Sequence, residues 1–412
     1  LIKLLIINYS FPPNSGIGGR RWSKFTNEFD KLNVQYEVIA SKDEIDCIGD
    51  LNKTLHLIPS GYPRLISKGP RSVAQKILYR IYLIYLKLRL RGNYYDRSVF
   101  WYKSLIPLLR IKLSEGFTHL IASGGPFAYL SDVAELKDQF PDVKFIVDFR
   151  DPWVNNQTSF GYSELPKKRI QFESKAEKKV IEKFDAAVSV AKPMTDYFIS
   201  RYIFATRGKF YTIPNGYDLD DKLTFSKKIF SNDRVNIVFT GSLYDKLLPK
   251  VNLLIEVLKN EIDLDVQFHF LGEMNQSLSA VLSTSENVKI YGNLSKREAL
   301  HALYSCDIAL LMLTDDLTYS FSTKFCEYIM YEKPIWIISN AGSTPDFVRE
   351  NGIGFHSLPT PDSIKQGLEN IRTSLDTISY EGFDDSLFNL ESISKQYLER
   401  LVHLVKHDNS LK

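Results

Sequence analysis

The chain has 412 residues, 44% apolar and 25% charged, with a formal net charge of +3. That length exceeds one ordinary core and suits two domains of about 200 residues each. The composition excludes a disordered or collagen-like chain, and the small net charge excludes a nucleic-acid polycation, so no nucleic-acid partner is expected.

Short apolar runs alternate with segments of helical periodicity. Residues 1–7, 36–40, 119–122, 143–149 and 186–190 read as strands, and 19–31, 76–91 and 167–184 as helices. The chain opens directly on the first of these strands, so no leader segment is expected ahead of the fold. A polar stretch, 218–234, interrupts the pattern, which then restarts. Residues 235–240, 266–271, 288–291, 308–313 and 334–338 read as strands, and 248–260, 296–305 and 323–331 as helices. Alternation of this kind predicts parallel sheets flanked by helices. The expected fold class is therefore α/β, with two doubly wound Rossmann-like domains over 1–217 and 235–388 and a linker at 218–234. Ligands bind such sheets beyond the carboxyl ends of the strands, which makes the loops there the places to look for chemistry.

The first strand runs into a glycine loop, with Gly16, Gly18, Gly19 and Arg20 where a helix begins. Glycines let backbone N–H groups approach a phosphate, and a helix N-terminus adds partial positive charge. A plain strand–helix turn would use similar residues. Ser123-Gly124-Gly125-Pro126 ends the strand that His119 begins; the glycines would let a substrate approach closely, and the histidine reads as a core or edge residue. Asp148-Phe149-Arg150-Asp151-Pro152-Trp153 ends the next strand. A buried structural ion pair fits three charges at that position. So does an active site in which Asp148 and Asp151 orient or deprotonate an acceptor hydroxyl while Arg150 fixes their geometry. These three are the catalytic candidates.

In the second half, Gly241-Ser242 ends a strand, with Lys246 and Lys250 beyond it; Gly272 and Asn293 follow two more strands. Ser322-Thr323-Lys324-Phe325-Cys326-Glu327 opens a helix on which Thr323 and Glu327, four apart, face the same way. Lys324 is placed to neutralise a diphosphate and Glu327 to accept hydrogen bonds from ribose hydroxyls; the alternative is a capped helix with an ordinary surface ion pair. Asp315 and Asp316 read as solvated carboxylates, and no acidic or histidine cluster has metal-ligand spacing. Cys47, Cys306 and Cys326 are few and unpaired in spacing, which reads as free thiols in a reducing, cytoplasmic compartment.

One segment departs from the charge balance. Residues 64–112 hold twelve Lys or Arg and one acidic residue, Asp96, an excess of +11 that leaves the remainder at −8. Lys76, Arg80, Lys87 and Arg91 fall within about 60° on a helical wheel, flanked by Ile77, Ile81, Ile84 and Leu88, with Tyr79, Tyr82 and Tyr85 nearby. No apolar run there is long enough to span a bilayer. A solvated helix packed on its domain and a peripheral contact with an anionic membrane both fit.

Taken in order, these pieces resemble the bacterial GT-B glycosyltransferases of family 4 used in building surface polysaccharides. The resemblance rests on the opening Pro12-Pro13 and glycine loop, the Asp148–Trp153 motif, Pro214-Asn215-Gly216-Tyr217-Asp218, and Lys324 through Pro334. It implies two domains facing a cleft, with a final helix within 389–412 crossing back to the first. It implies a nucleotide diphosphate sugar as donor substrate, a lipid-linked or oligosaccharide acceptor, retention of anomeric configuration, and no metal or other cofactor. The donor would contact Gly241, Ser242, Lys246, Gly272, Asn293, Ser322, Thr323, Lys324 and Glu327, with Gly18, Gly19 and Arg20 approaching the diphosphate. Two positions depart from the family pattern: Ser242 stands where Arg is common, so either Lys246 or Lys250 supplies that charge or diphosphate binding is weaker, and Tyr319 replaces a glutamate, for which Ser320 or Ser322 would substitute. A nucleotide-sugar epimerase or a degenerate nucleotide-sugar-binding protein are the rival readings.

Overall fold

The computed structural model describes residues 2–12, 17–42, 54–90, 93–154, 165–204, 207–261, 265–318 and 321–409, with side chains to 404. The chain divides into two compact units, one of residues 1–213 with 393–412 and the other of residues 214–392.

The first unit is built on seven parallel strands: β1 Lys3–Ile7, β2 Gln35–Ser41, β3 Leu55–Ile58, β4 His119–Gly124, β5 Lys144–Phe149, β6 Ala186–Ser189 and β7 Phe210–Thr212. Their order across the sheet is β3-β2-β1-β4-β5-β6-β7. Every residue of β4 and β5 is buried, which is why these strands read as continuous apolar runs rather than alternating ones. Order reverses between β1 and β4, so their carboxyl ends diverge and leave the crevice where doubly wound sheets bind ligands.

The second unit repeats the plan with six parallel strands: β8 Val235–Thr240, β9 Val266–Leu271, β10 Val288–Gly292, β11 Ile308–Met312, β12 Ile335–Ile338 and β13 Gly354–Ser357. Their order is β10-β9-β8-β11-β12-β13, so the reversal falls between β8 and β11. Local chemistry sets the intervening helices. Ser295 and Glu298 form a reciprocal capping box at the start of Lys296–Ser305, and Pro249 sits in the first turn of Leu248–Asn260.

Residues 218–234, expected to be a linker, pack on the second unit. Phe225 stacks on His301, Phe230 stacks on His269, and the Leu223 N–H donates to the Tyr331 hydroxyl. The last helix is Leu390–Asn409, and from Ile393 it belongs to the first unit. Its Tyr397 ring meets Trp22 and Phe25 of the helix Arg20–Lys31 edge-on, at 5.7 and 5.5 Å between centroids. His119 is fully buried and its Nε2 lies 3.1 Å from the Leu401 carbonyl; burial lowers its pKa, so it is a neutral core residue at the amino end of β4.

Tyr397 is 1% exposed, and its hydroxyl has no hydrogen-bond partner among the described residues. Removing the ring leaves a cavity, so Tyr397→Ala is expected to cost about 3–5 kcal/mol. Tyr397→Phe removes an unsatisfied polar group and should be neutral or stabilising. Denaturant midpoints of the two variants check this.

Candidate functional site

Three loops converge in the first unit at the β1/β4 reversal. Arg150, just past β5, donates from Nε to the Gly124 carbonyl at 3.3 Å and from Nη2 to the Gly125 carbonyl. A Cβ on Gly18 would stand 2.9 Å from Arg150 Nη1, and one on Gly125 (φ +93°) 2.8 Å from Nη2. The glycine loop, the Gly124-Gly125 turn and Arg150 therefore pack together: Gly125 needs glycine for its backbone conformation, and a side chain on Gly18 would displace the Arg150 guanidinium. Gly19 is buried, a Cβ there meeting the Ser10 carbonyl at 2.6 Å, whereas Arg20 is exposed at the first residue of its helix. Residues 13–16, including Gly16, lie outside the described residues.

The acidic candidates separate in role. Asp148 is fully buried and both its oxygens are taken by Arg21, from Nε at 3.0 Å and from Nη2 at 3.2 Å. The same Nη2 donates to the Ile213 carbonyl at 2.9 Å. This bidentate pair ties the helix after β1 to the end of β5. Asp151 instead has a side chain 41% exposed, with Oδ2 3.9 Å from Arg150 Nη2. Below them, the Trp153 indole donates to Glu173 at 2.9 Å and the Val154 N–H to Glu177 at 3.1 Å. Both glutamates sit buried on the helix Lys167–Lys183, where burial raises their pKa values. They fix the loop after β5 from beneath. Neither was singled out from the sequence, although acidic residues four apart at core-facing positions, ahead of Val180 and Ile181, are a readable signal. Arg21 carries a weaker one: it shares an inward face with Phe25.

In the second unit, the loops after β8, β9 and β11 meet. Gly241 (φ +92°) follows β8, and a Cβ there would overlap Lys324 Cε at 2.3 Å; one on Gly272 (φ +136°) would overlap the Gly241 carbonyl oxygen at 2.3 Å. Both positions need glycine for conformation and for space. Lys324 lies in the first turn of the helix Thr323–Met330, capped by Ser322, whose hydroxyl accepts from the Phe325 N–H at 3.3 Å. Its Nζ is 3.3 Å from the Ser242 carbonyl and 4.3 Å from the centre of the Phe239 ring. Burial pushes the Lys324 pKa down to about 8, with Glu327 opposing the shift. Thr323 and Glu327 are half-buried on the same helix, and Asn293 is exposed just past β10.

Lys246 and Lys250 are oriented otherwise than the sequence indicates. Lys250 is 5% exposed and its Nζ lies 2.6 Å from Asp315; exposed Lys246 reaches Asp316 at 3.3 Å. Asp315 has a side chain 69% exposed, as expected of a solvated carboxylate, whereas the Asp316 side chain is 19% exposed; the two hold the lysines against the loop after β11. Tyr319 and Ser320 lie outside the described residues. Among the described residues no three His, Cys, Asp or Glu side chains gather as a metal site.

Lysine-selective NMR should find Lys324 titrating near 8 in the ligand-free protein. Gly241→Ala must displace the Lys324 side chain from its place beside Phe239, so the same resonance should move toward about 10.4. A wild-type Lys324 titrating at that ordinary value would contradict the desolvation described.

No family model matches the chain, and no curated protein matches it in sequence. Solved structures do match. Sucrose-phosphate synthase from Thermosynechococcus elongatus superposes with a TM-score of 0.67 at 12% identity, over 99% of this chain and 100% of that one. Anabaena HepE, in complex with UDP and glucose, gives 0.64 at 11% identity over 98% and 100%. UDP-GlcNAc 2-epimerase from Neisseria meningitidis, bound to UDP-GlcNAc, gives 0.55 at 12% identity over 98% and 100%. At these identities the likeness is one of fold: the chain has the two-domain α/β architecture of the GT-B proteins.

Proposed function

We propose that the chain is a glycosyltransferase that moves a sugar from a nucleotide diphosphate sugar to a lipid-linked or glycan acceptor in bacterial surface polysaccharide synthesis. The observation that carries this reading is the Lys324 ammonium, partly stripped of water against Phe239 at the β8/β11 reversal, with glycine on the facing loops. A poorly solvated cation gains more from an incoming diphosphate than a surface lysine does.

Departure of the nucleoside diphosphate builds negative charge on its phosphate oxygens and positive charge on the sugar ring. Lys324 and the N-terminus of its helix oppose the first, preorganised before the bond breaks. Glu327 takes the ribose hydroxyls, and Gly241, Gly272 and Asn293 line the nucleotide. With Lys246 and Lys250 drawn to Asp316 and Asp315, the charge expected of them falls mainly to Lys324. On the acceptor side, Asp151 is the carboxylate free to orient a hydroxyl, while Asp148 holds the loop through Arg21. Transfer proceeds with retention and without a metal ion, at a peripheral membrane contact made by residues 64–112.

The epimerase reading draws on likeness of fold to UDP-GlcNAc 2-epimerases such as the Neisseria neighbour; an epimerase would need several acid and base groups around the sugar and no acceptor. Incubation with a panel of nucleotide sugars in the presence of a chelator separates the two. The transferase reading expects nucleoside diphosphate release coupled to a glycosylated acceptor. Lys324→Ala should weaken nucleotide affinity about tenfold to a hundredfold, the worth of a charge-assisted contact, and Asp151→Asn should lower turnover more than affinity. Interconversion of the nucleotide sugar with no acceptor product would favour the epimerase, and activity restored only by added magnesium or manganese would remove the metal-free step.

A further inference from the structure

The helix Val73–Arg89 carries a feature that the charge pattern alone does not reveal. Its outward face is apolar. Val73, Ile77, Ile81, Ile84 and Leu88 are 75, 61, 57, 59 and 77% exposed. At 100° per residue these five lie within about 80° of one another, a stripe of about 22 Å along the axis. Leu86 is the one buried residue of the helix, and Leu83 and Tyr79, half-buried, share its side. The stripe therefore points away from the body of the unit. Lys76, Arg80 and Lys87 are exposed along one shoulder of it and Arg89 along the other; Arg91 lies outside the described residues.

We infer that this helix lies in the plane of an anionic membrane with the apolar stripe inserted among the acyl chains and the flanking cations at the level of the lipid phosphates. The inference rests on the membrane reading above and changes its physical basis from surface attraction to insertion. An amphipathic helix with cations bordering an exposed apolar face fits an interfacial position. It fits a second copy of the chain poorly. The sole acidic residue in 64–112, Asp96, is 1% exposed and accepts hydrogen bonds from the Ser98 and Phe127 N–H groups. A self-paired contact would therefore bring like charges together with no carboxylate from this segment to offset them. Spanning is excluded for this helix by length and charge: among the described residues no helix is long and apolar enough to cross a membrane.

The test is flotation of the full chain with vesicles of phosphatidylglycerol and phosphatidylcholine, at low salt and at about 1 M salt, where the screening length is about 3 Å. Insertion predicts that most of the bound fraction survives high salt. It also predicts that a variant combining Ile77→Ser, Ile81→Ser and Ile84→Ser loses binding at least about a hundredfold at either salt, with secondary structure and nucleotide affinity unchanged. Lys76→Gln with Lys87→Gln should weaken binding at low salt only. Binding that disappears at high salt and ignores the isoleucine changes would overturn insertion while leaving surface docking intact. Absence of binding at low salt would remove the membrane contact itself. A concentration-dependent dimer abolished by the serine variant would assign the stripe to a second copy instead.

Discussion

Strand order reverses once in each sheet, and the glycines and charges of both candidate sites gather at those reversals. Between β1 and β4, and again between β8 and β11, neighbouring strands send their following helices to opposite faces. The loops that follow these strands meet at those two points among the described residues. Backbone must then pass close to backbone and to long side chains, which is why glycines gather there. Gly18 and Gly125 close on Arg150 in the first unit, and Gly241 and Gly272 close on one another and on Lys324 in the second. A Cβ on Gly272 would overlap the Gly241 backbone, and one on Gly18, Gly125 or Gly241 would displace the Arg150 or Lys324 side chain.

The charges around these glycines are held in two different ways. In the first unit, a buried bidentate Arg21–Asp148 pair and the buried Glu173 and Glu177 carboxylates fix the loop after β5 from inside the core. Removing either partner of a buried pair leaves an uncompensated charge and costs about 3–5 kcal/mol. In the second unit, Lys324 is stabilised by a ring face and a carbonyl and has lost part of its hydration. Burial depresses its pKa despite the nearby Glu327 carboxylate, whereas Lys246 and Lys250 pair directly with carboxylates.

Much of this was legible in the sequence, because buried parallel strands read as unbroken apolar runs. Of the thirteen strands among the described residues, the ten so read lie within about two residues of their expected bounds. Leu55–Ile58, Phe210–Thr212 and Gly354–Ser357 were not expected: each is an edge strand of three or four residues, and β3 and β13 are at best partly buried over most of their length. The segment 218–234 looked like a linker because polar residues surround Phe225 and Phe230, whose partners, His301 and His269, stand tens of positions away. Long-range pairing is also what hid the burial of Lys250, since Asp315 is 65 positions distant. The basic row on Val73–Arg89 was visible, but which side faces outward depends on where Leu86 packs, and periodicity alone does not fix that.

A donor diphosphate bound at the β8/β11 reversal against Lys324 is what the proposed transfer requires. A crystal structure of the protein with a bound nucleoside diphosphate tests it most directly. Phosphate oxygens are expected within hydrogen-bond distance of Lys324 Nζ, lying over Gly241 and Gly272. A nucleotide bound elsewhere, with Lys324 still resting on Phe239 and the Ser242 carbonyl, would contradict that placement.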